Sequence, residues 1–150
     1  MTKLFDLLDN NSVNAIAKDS IEVGNVYRIK MNEKNGIKPK PGDDSRNKYF
    51  VVLGFDSNGD AYGGVIINSE INNRISPSIK DWQMPIKREK YNFLKHNSFV
   101  DCSRLKCADI KKFGSWQFMG FIDSEDVEII ISTIKDSPNE TKAHLAMYGL

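Results

Sequence analysis

Apolar and polar residues alternate in the early part of the chain in the way that a half-buried strand requires. Within residues 23–31, the apolar side chains that share one face are Val23, Tyr27, Ile29 and Met31. Arg28 and Lys30 fall on the opposite face. Because successive side chains of a strand point to opposite sides of its sheet, this segment is predicted to be the opening strand of a β-structure.

A continuous apolar run at residues 49–55 predicts the strongest strand of the chain. The dipeptide Asn58-Gly59 follows it and is a favoured hairpin turn, so residues 62–67 are predicted to be the return strand. Further strands are predicted at residues 82–87 and 98–105. In the first of these, the side chains on a common face are Trp82, Met84 and Ile86.

Helical patterns are confined to the two ends of the chain. Thr2 can cap a short apolar helix, which predicts a helical arm within residues 1–22. A helix beginning near Ser124 has an apolar stripe consisting of Val127, Ile130, Ile131 and Ile134. The sequence Ser137-Pro138-Asn139-Glu140 matches a capping box with proline at the first helical position, which predicts a final helix. The apolar stripe of that helix would be Ala143, Ala146, Met147 and Leu150.

Short strands followed by helices favour the α+β class over a doubly wound sheet. The chain has 150 residues, which suits one domain with one core. We therefore expect a single domain made of a helical arm at 1–22, a small antiparallel β-barrel at 23–122 and C-terminal helices at 123–150.

Composition and charge exclude several classes of protein. Hydrophobic residues make up 40% of the chain and charged residues 27%, as in ordinary globular proteins. The formal net charge is +1, so any affinity for nucleic acid has to come from a local basic patch. No apolar run approaches the roughly 20 residues that cross a bilayer, and the N-terminus lacks the apolar region of a secretion signal. We expect a cytoplasmic protein that does not engage membranes.

Basic residues accumulate among the glycines and prolines that precede the strongest strand. They include Lys38, Lys40, Arg46 and Lys48. The rim of a barrel would present Arg46 and Lys48 to solvent beside neighbouring strand ends. An arginine fork can grip a phosphate and stabilise the negative charge that builds on phosphorus during in-line attack. The alternative is that these residues are solubilising charges on a surface loop.

Polar residues stand at the ends of two other predicted strands. Asn68 and Ser69 end the return strand, where an amide or a hydroxyl could hydrogen-bond a scissile phosphate. A turn-forming role is the alternative for both. Asp101 lies near another strand end and is a candidate proton acceptor, although it could instead cap a turn or pair with Arg104.

Metal, cofactor and stacking sites have weaker signals. His96, Cys102 and Cys107 do not have the spacing of zinc ligands, so we expect no metal. The chain has no phosphate-binding Gly-rich loop and no dinucleotide fingerprint, so we expect no cofactor. Aromatic rings could stack unpaired bases, and Trp82 is the candidate that we select, with a place in the core as its alternative role.

The order of these elements resembles the MazF/PemK-like toxins of bacterial toxin–antitoxin pairs, from about Val23 to Lys135. The first part of the resemblance comprises Gly24-Asn25-Val26-Tyr27 as an opening strand, a long charged loop, residues 46–53 as the second strand and Ile67-Asn68-Ser69 at the next strand end. The second part comprises residues 94–102, followed by Gly120-Phe121-Ile122-Asp123 and an Ile-rich helix.

The resemblance implies an SH3-like barrel, often a homodimer, that cleaves single-stranded RNA without a metal by activating the ribose 2′-hydroxyl. An acidic antitoxin protein would occupy the same groove. The family's catalytic arginine would fall on Arg46, or less directly be replaced by Lys48. Its threonine–serine pair would fall on Asn68 and Ser69. Two features depart from the family pattern, since Arg46 precedes Asn47 rather than a proline and Asn68 stands in place of threonine.

Two functions remain open on the sequence. The first is a toxin-type endoribonuclease in which Arg46 stabilises the phosphorane, Asn68 and Ser69 orient the phosphate, and Asp101 is a reserve acid–base group. In that hypothesis the residues that bind the RNA are Lys38, Lys40, Lys48 and Trp82. The second is a non-catalytic barrel module that binds RNA or a partner protein.

Overall fold

Strands and helices are both present, so the predicted α+β class is confirmed. The structure is a computed structural model that describes residues 21–35, 37, 42, 46–69 and 77–150. Within these residues the strands are β1 (Asn25–Met31), β2 (Arg46–Phe55), β3 (Ala61–Asn68), β4 (Gln83–Ile86), β5 (Ser98–Asp101), β6 (Lys106–Asp109) and β7 (Gln117–Phe121). The α-helices there are α1 (Pro77–Lys80), α2 (Ser124–Asp136) and α3 (Lys142–Met147), and the 3-10 helices are Glu33–Asn35 and Ile110–Ser115. The predicted arm up to residue 20, and also Lys38 and Lys40, lie outside the described residues.

The strands pair into one antiparallel sheet. Their order is β4-β5-β3-β2-β1-β7, and β6 also pairs with β3. Over the described ranges, β4 and β7 are the two ends of this order and are not paired with each other, so the sheet is open. The predicted hairpin is confirmed as β2 and β3 at the centre of the sheet. Gly59 in its turn has a φ of 70°, a conformation that glycine adopts without steric cost.

The strand predicted at residues 98–105 is shorter in the structure, and residues 102–105 form a turn to a further strand that was not predicted. β5 ends at Asp101, β6 begins at Lys106, and both pair with the same edge of β3. The Asp101 carboxylate accepts hydrogen bonds from the Ser103 amide at 3.0 Å and from the Ser103 hydroxyl at 2.6 Å. Such local side-chain bonds compete with the ladder of a sheet, and here they stabilise the turn that ends the strand.

The sheet separates two apolar clusters, and strand alternation assigns each side chain to one of them. The first, the helix-side cluster, includes Val51 and Val65 of the hairpin and Ile130 of α2. The second, the 3-10-side cluster, includes Phe50 and Ile66 of the hairpin. The other members of the 3-10-side cluster include Tyr27, Ile29, Met31, Ile110, Phe113 and Trp116.

Val23 does not share the face predicted for it with the apolar residues of β1. It is 49% exposed and precedes the strand. Gly24 has a φ of 95°, and the Asn25 amide donates to the Glu22 carbonyl, so the chain turns before β1 begins. This turn breaks the alternation that the sequence pattern suggested.

The beginning of α3 also differs from the prediction. Its N-cap is Thr141, whose side chain accepts a hydrogen bond from the His144 amide at 3.1 Å. Leu145 and Tyr148 are the buried side chains of this segment. The residues of the predicted stripe that are exposed instead are Ala143, Ala146 and Met147.

The polar residues of the predicted capping box attach the helical corner to the sheet. The Ser137 hydroxyl donates to the Ser103 carbonyl at 2.6 Å, and the Glu140 carboxylate accepts from the Leu105 amide at 2.8 Å. The side chain of Glu140 is 1% exposed. Tertiary partners on the β5–β6 turn therefore replace the local caps that the sequence pattern suggested.

The helices α2 and α3 pack on the face of the sheet that carries the helix-side cluster. Tyr148, just after α3, lies so close to the hairpin that a Cβ added at Gly63 would be 2.5 Å from its Cγ. Burial raises the pKa of Tyr148 to about 12. None of the helices in the described part of the chain is long and apolar enough to span a bilayer.

Candidate nucleic-acid interface

Lys48 of β2 and Asn68 of β3 lie side by side at one end of the sheet. Tyr49 is paired with Ile67, so the next positions along the two strands are Lys48 and Asn68. The Lys48 Nζ donates a hydrogen bond to Asn68 Oδ1 at 2.7 Å. The basic residue that contacts the polar end of the return strand is therefore Lys48 and not Arg46.

The contact orients the Asn68 amide. An ammonium group can only donate hydrogen bonds, so the carbonyl oxygen of the amide has to face Lys48. The amide NH2 group then points away from the lysine with two N–H donors. Both side chains are only half-buried, so an anion from solvent can meet the ammonium and the amide donors together. The pair is suited to binding a phosphate oxygen.

Arg46 is the first residue of β2 and stands two positions before Lys48. It is paired with Met31 of β1, and strand alternation places it on the same face as Lys48. The separation along the strand is about 7 Å. Among the described residues, no hydrogen bond or ion pair to the Arg46 guanidinium is found. The second cation of the predicted site is thus near the pair without touching it.

Ser69 directly follows β3 and is exposed in a bend. Its position next to Asn68 keeps it at the same end of the sheet. Within the described residues its hydroxyl has no hydrogen-bond partner, so it can meet a ligand there. Asn68 and Ser69, which are consecutive residues, are therefore both at this end of the sheet.

Asp101 and Trp82 lie further from the pair. Asp101 is on β5 two residues beyond the position opposite Asn68, which is about 7 Å along the strand. The residue is 8% exposed, and its carboxylate accepts a hydrogen bond from Gln83 Nε2 at 3.0 Å as well as two from Ser103. Trp82 precedes β4 and lies at the end of β4 that is remote from Asn68. The structure does not bring these two residues to the Lys48–Asn68 pair.

The β4–β5 loop adds a basic segment that the sequence reasoning missed. β4 ends at Ile86, β5 begins at Ser98, and Asn68 pairs with Phe99, so the loop leaves the sheet at the end that carries Lys48. Its exposed basic residues are Lys87, Arg88, Lys90, Lys95 and His96. These basic residues are apparent in the sequence, but their position at the same sheet end as Lys48 depends on the pairing of β3, β5 and β4.

One cation of this loop is already neutralised. The Lys90 Nζ lies 2.8 Å from an Asp123 carboxylate oxygen and 2.9 Å from one of Asp126. The hydrogen bond to Asp123 comes first among the causes that raise the pKa of Lys90, and the same contact lowers the pKa of Asp123. The Tyr91 hydroxyl also donates to Asp126. Lys90 therefore secures the loop to the first turn of α2. The remaining lysines and arginine of the loop, Lys87, Arg88 and Lys95, carry its positive charge and are called the basic rim below.

The cysteines have structural surroundings. Cys102 and Cys107 are not joined by a disulfide, and burial is the main cause that raises the pKa of Cys102 to about 12. The Cys107 thiol is hydrogen-bonded to the Lys34 carbonyl at 3.5 Å. In the part of the chain that the structure covers, no three side chains of His, Cys, Asp or Glu are grouped to hold a metal ion.

Comparisons with known proteins leave the site to be interpreted from its own geometry. No protein-family model and no curated protein matches this chain. The functional interpretation therefore depends on the sheet end that carries Lys48, Asn68 and the basic rim.

Proposed function

We propose that this protein binds single-stranded RNA at the sheet end that carries Lys48 and Asn68, and that it cleaves the RNA as a metal-independent endoribonuclease similar to the MazF/PemK-like toxins. The observation that carries the proposal is the 2.7 Å contact between Lys48 Nζ and Asn68 Oδ1. This contact presents an ammonium group and amide N–H donors at one point, as recognition of a phosphodiester requires.

In the proposed reaction, the ribose 2′-oxygen forms a bond to the adjacent phosphorus while the bond to the 5′-oxygen breaks. Lys48 and Arg46 stabilise the negative charge that builds on the phosphorane. The amide NH2 of Asn68 and the hydroxyl of Ser69 orient its non-bridging oxygens. The 2′-hydroxyl loses a proton and the leaving 5′-oxygen gains one, so the products are a 2′,3′-cyclic phosphate and a 5′-hydroxyl.

The basic rim supports RNA as the ligand. Lys87, Arg88 and Lys95 emerge at the same sheet end as the pair, which widens the cationic surface beyond one phosphate. The chain as a whole is nearly neutral at +1, so this surface is a local feature. We extend the proposal to a cytoplasmic setting, to an SH3-like curvature of the open sheet and to a homodimer. An acidic antitoxin protein would compete with RNA for the same basic surface.

The test is cleavage of an end-labelled single-stranded RNA by the purified chain in the presence of a metal chelator. Wild-type protein should release fragments that end in cyclic phosphate, and a strand with 2′-deoxyribose throughout should stay intact. Lys48→Ala should reduce the cleavage rate about 10²- to 10³-fold, as loss of a charge-stabilising donor does. Arg46→Ala should also reduce cleavage and relieve any growth arrest on expression. Lys135→Ala, at an exposed site on α2, is the matched control.

Cleavage by Lys48→Ala at the wild-type rate would reject the proposed catalytic site. A second candidate function, non-catalytic binding of RNA or of a protein by the same surface, is favoured by one observation. Asp101, the predicted acid–base group, is nearly buried and already accepts three hydrogen bonds. Tight binding of the labelled RNA with no cleavage at any protein concentration would support this second function.

A further inference from the structure

Phe99 stands directly beside the Lys48–Asn68 pair. β3 and β5 are paired with Asn68 opposite Phe99, and β5 and β4 are paired with Phe99 opposite Pro85. Residues that are opposite each other in an antiparallel pair project from the same face of the sheet. The side chains of Lys48, Asn68, Phe99 and Pro85 therefore form a row across four strands on one face.

The Phe99 ring is placed as a surface platform rather than as a core residue. Its neighbour Val100 is fully buried in the helix-side cluster, and Phe99 projects to the other face. Phe99 itself belongs to neither apolar cluster of the described residues and remains partly exposed. Pro85 beside it is exposed. A partly exposed ring with a flat neighbour, next to Asn68 of the Lys48–Asn68 pair, is a suitable surface for stacking a base.

The spacing fits one nucleotide. Adjacent strands are about 4.8 Å apart, so Phe99 lies two strands, or about 10 Å, from Lys48. A nucleotide can span that distance, with its phosphate bound by Lys48 and Asn68 and its own base, or the next one, on Phe99.

We propose that Phe99 is a base-stacking subsite, which receives an unpaired nucleobase whose adjoining phosphate is bound by Lys48 and Asn68. This inference depends on the proposed function. It adds that the ligand is recognised through a base as well as through its backbone. Single strands are preferred over duplexes because a paired base cannot lie on the ring. Stacking accepts every base, so the subsite contributes affinity with little sequence preference.

The test uses three variants at position 99 and two ligands. The ligands are a short fluorescently labelled single-stranded RNA, with 2′-O-methyl groups to prevent cleavage, and an abasic ribose-phosphate strand of the same length and label. Phe99→Leu keeps an apolar side chain of similar size, so the fold is retained while the aromatic face is lost. Phe99→Trp keeps an aromatic face, and Phe99→Ala removes the side chain. Phe121→Leu, at a 66% exposed ring on β7, is the matched control.

Phe99→Leu should weaken binding of the base-bearing strand about 5- to 150-fold. It should leave binding of the abasic strand unchanged, and Phe99→Trp should bind at least as well as the wild type. The fluorescence of the indole introduced by Phe99→Trp should be quenched by the base-bearing strand and not by the abasic strand. Phe121→Leu should bind both strands like the wild type.

Equal binding of the two strands by the wild type, or full affinity in a folded Phe99→Leu variant, would overturn the stacking subsite and leave the phosphate contact standing. A wild-type protein that binds neither strand would overturn the proposed function itself. Thermal unfolding of each variant shows whether a loss of affinity reflects a loss of fold. The Phe99→Trp variant keeps the test decisive if Phe99→Ala does not fold.

Discussion

Replacement of Gly63 by alanine should destabilise the protein through a clash with one residue, Tyr148. A Cβ at position 63 would lie 2.5 Å from Tyr148 Cγ, 2.8 Å from Cδ1 and 2.9 Å from the tyrosine Cβ. Contacts this short cannot persist, so the tyrosine and the end of α3 would have to move. Tyr148 is 6% exposed in the helix-side cluster, and any movement would therefore disturb its packing.

The free-energy costs can be estimated for a double-mutant cycle. Overpacking costs about 1–3 kcal/mol, and three contacts below 3.0 Å place Gly63→Ala near the upper end at about 3 kcal/mol. Tyr148→Ala removes a buried aromatic ring and should cost about 3–5 kcal/mol. In the double variant the atoms that clash with the new methyl group are largely gone. We therefore expect a total cost of about 4 kcal/mol and a coupling energy of about 3 kcal/mol.

Urea denaturation followed by circular dichroism measures each corner of the cycle. A domain of this size has about 5–15 kcal/mol of stability, so every variant should still have a folded baseline if the wild type lies in the upper part of that range. Tyr148→Phe is the control, because it keeps the ring and should leave the cost of Gly63→Ala unchanged. Additive costs for Gly63→Ala and Tyr148→Ala would refute the packing of α3 on the hairpin.

Three further predictions concern the site and its supports. Lys48→Ala should lower the slope of log affinity against log salt for single-stranded RNA by about 0.7, measured by fluorescence anisotropy, and an unchanged slope would mean that Lys48 contacts no phosphate. Asp101→Asn should cost about 1–3 kcal/mol in urea denaturation and leave RNA affinity unaltered, whereas a selective loss of affinity in a stable variant would assign Asp101 to the ligand. Burial raises the pKa of Glu140, but hydrogen bonds from the Leu105 and Thr141 amides and from His144 outweigh it, so the pKa lies below the ordinary 4.5. The stability that Glu140 contributes is therefore complete above pH 4.5 and lost as the pH falls through the lower folded-state pKa. Glu140→Gln should therefore reduce the loss of stability below pH 4.5, measured as the urea midpoint at a series of pH values. The same loss in the variant and the wild type would contradict this role of Glu140.

The elements that could be predicted are those in which the local residue pattern favours the same conformation that the whole structure has. The hairpin of β2 and β3 has a run of β-formers on each side of Asn58-Gly59, and α2 has apolar residues at helical spacing after the capping residue Asp123. Neither element needs a distant partner to choose its conformation. These elements were accordingly predictable.

Elements that depend on distant partners were predicted less well. The strand predicted at 98–105 ends at Asp101, whose carboxylate bonds to Ser103, and the predicted capping box binds the β5–β6 turn through Glu140. A sequence pattern cannot distinguish a polar side chain that caps its own helix from one that bonds to a turn 35 residues away. β7 was missed as a strand because its pairing with β1 is set by the whole sheet.

The sequence by itself determined the residues available for the site, which are a basic segment before the strongest strand and the polar pair Asn68-Ser69 after the return strand. It also determined the helices at the C-terminus. Tertiary structure alone decided that Lys48 rather than Arg46 touches Asn68, and that Phe99 and the β4–β5 loop join them. The physical reason is register. In an antiparallel sheet a shift of one residue moves a side chain to the other face, and only the complete pairing of β2, β3, β5 and β4 selects the row that meets at the site.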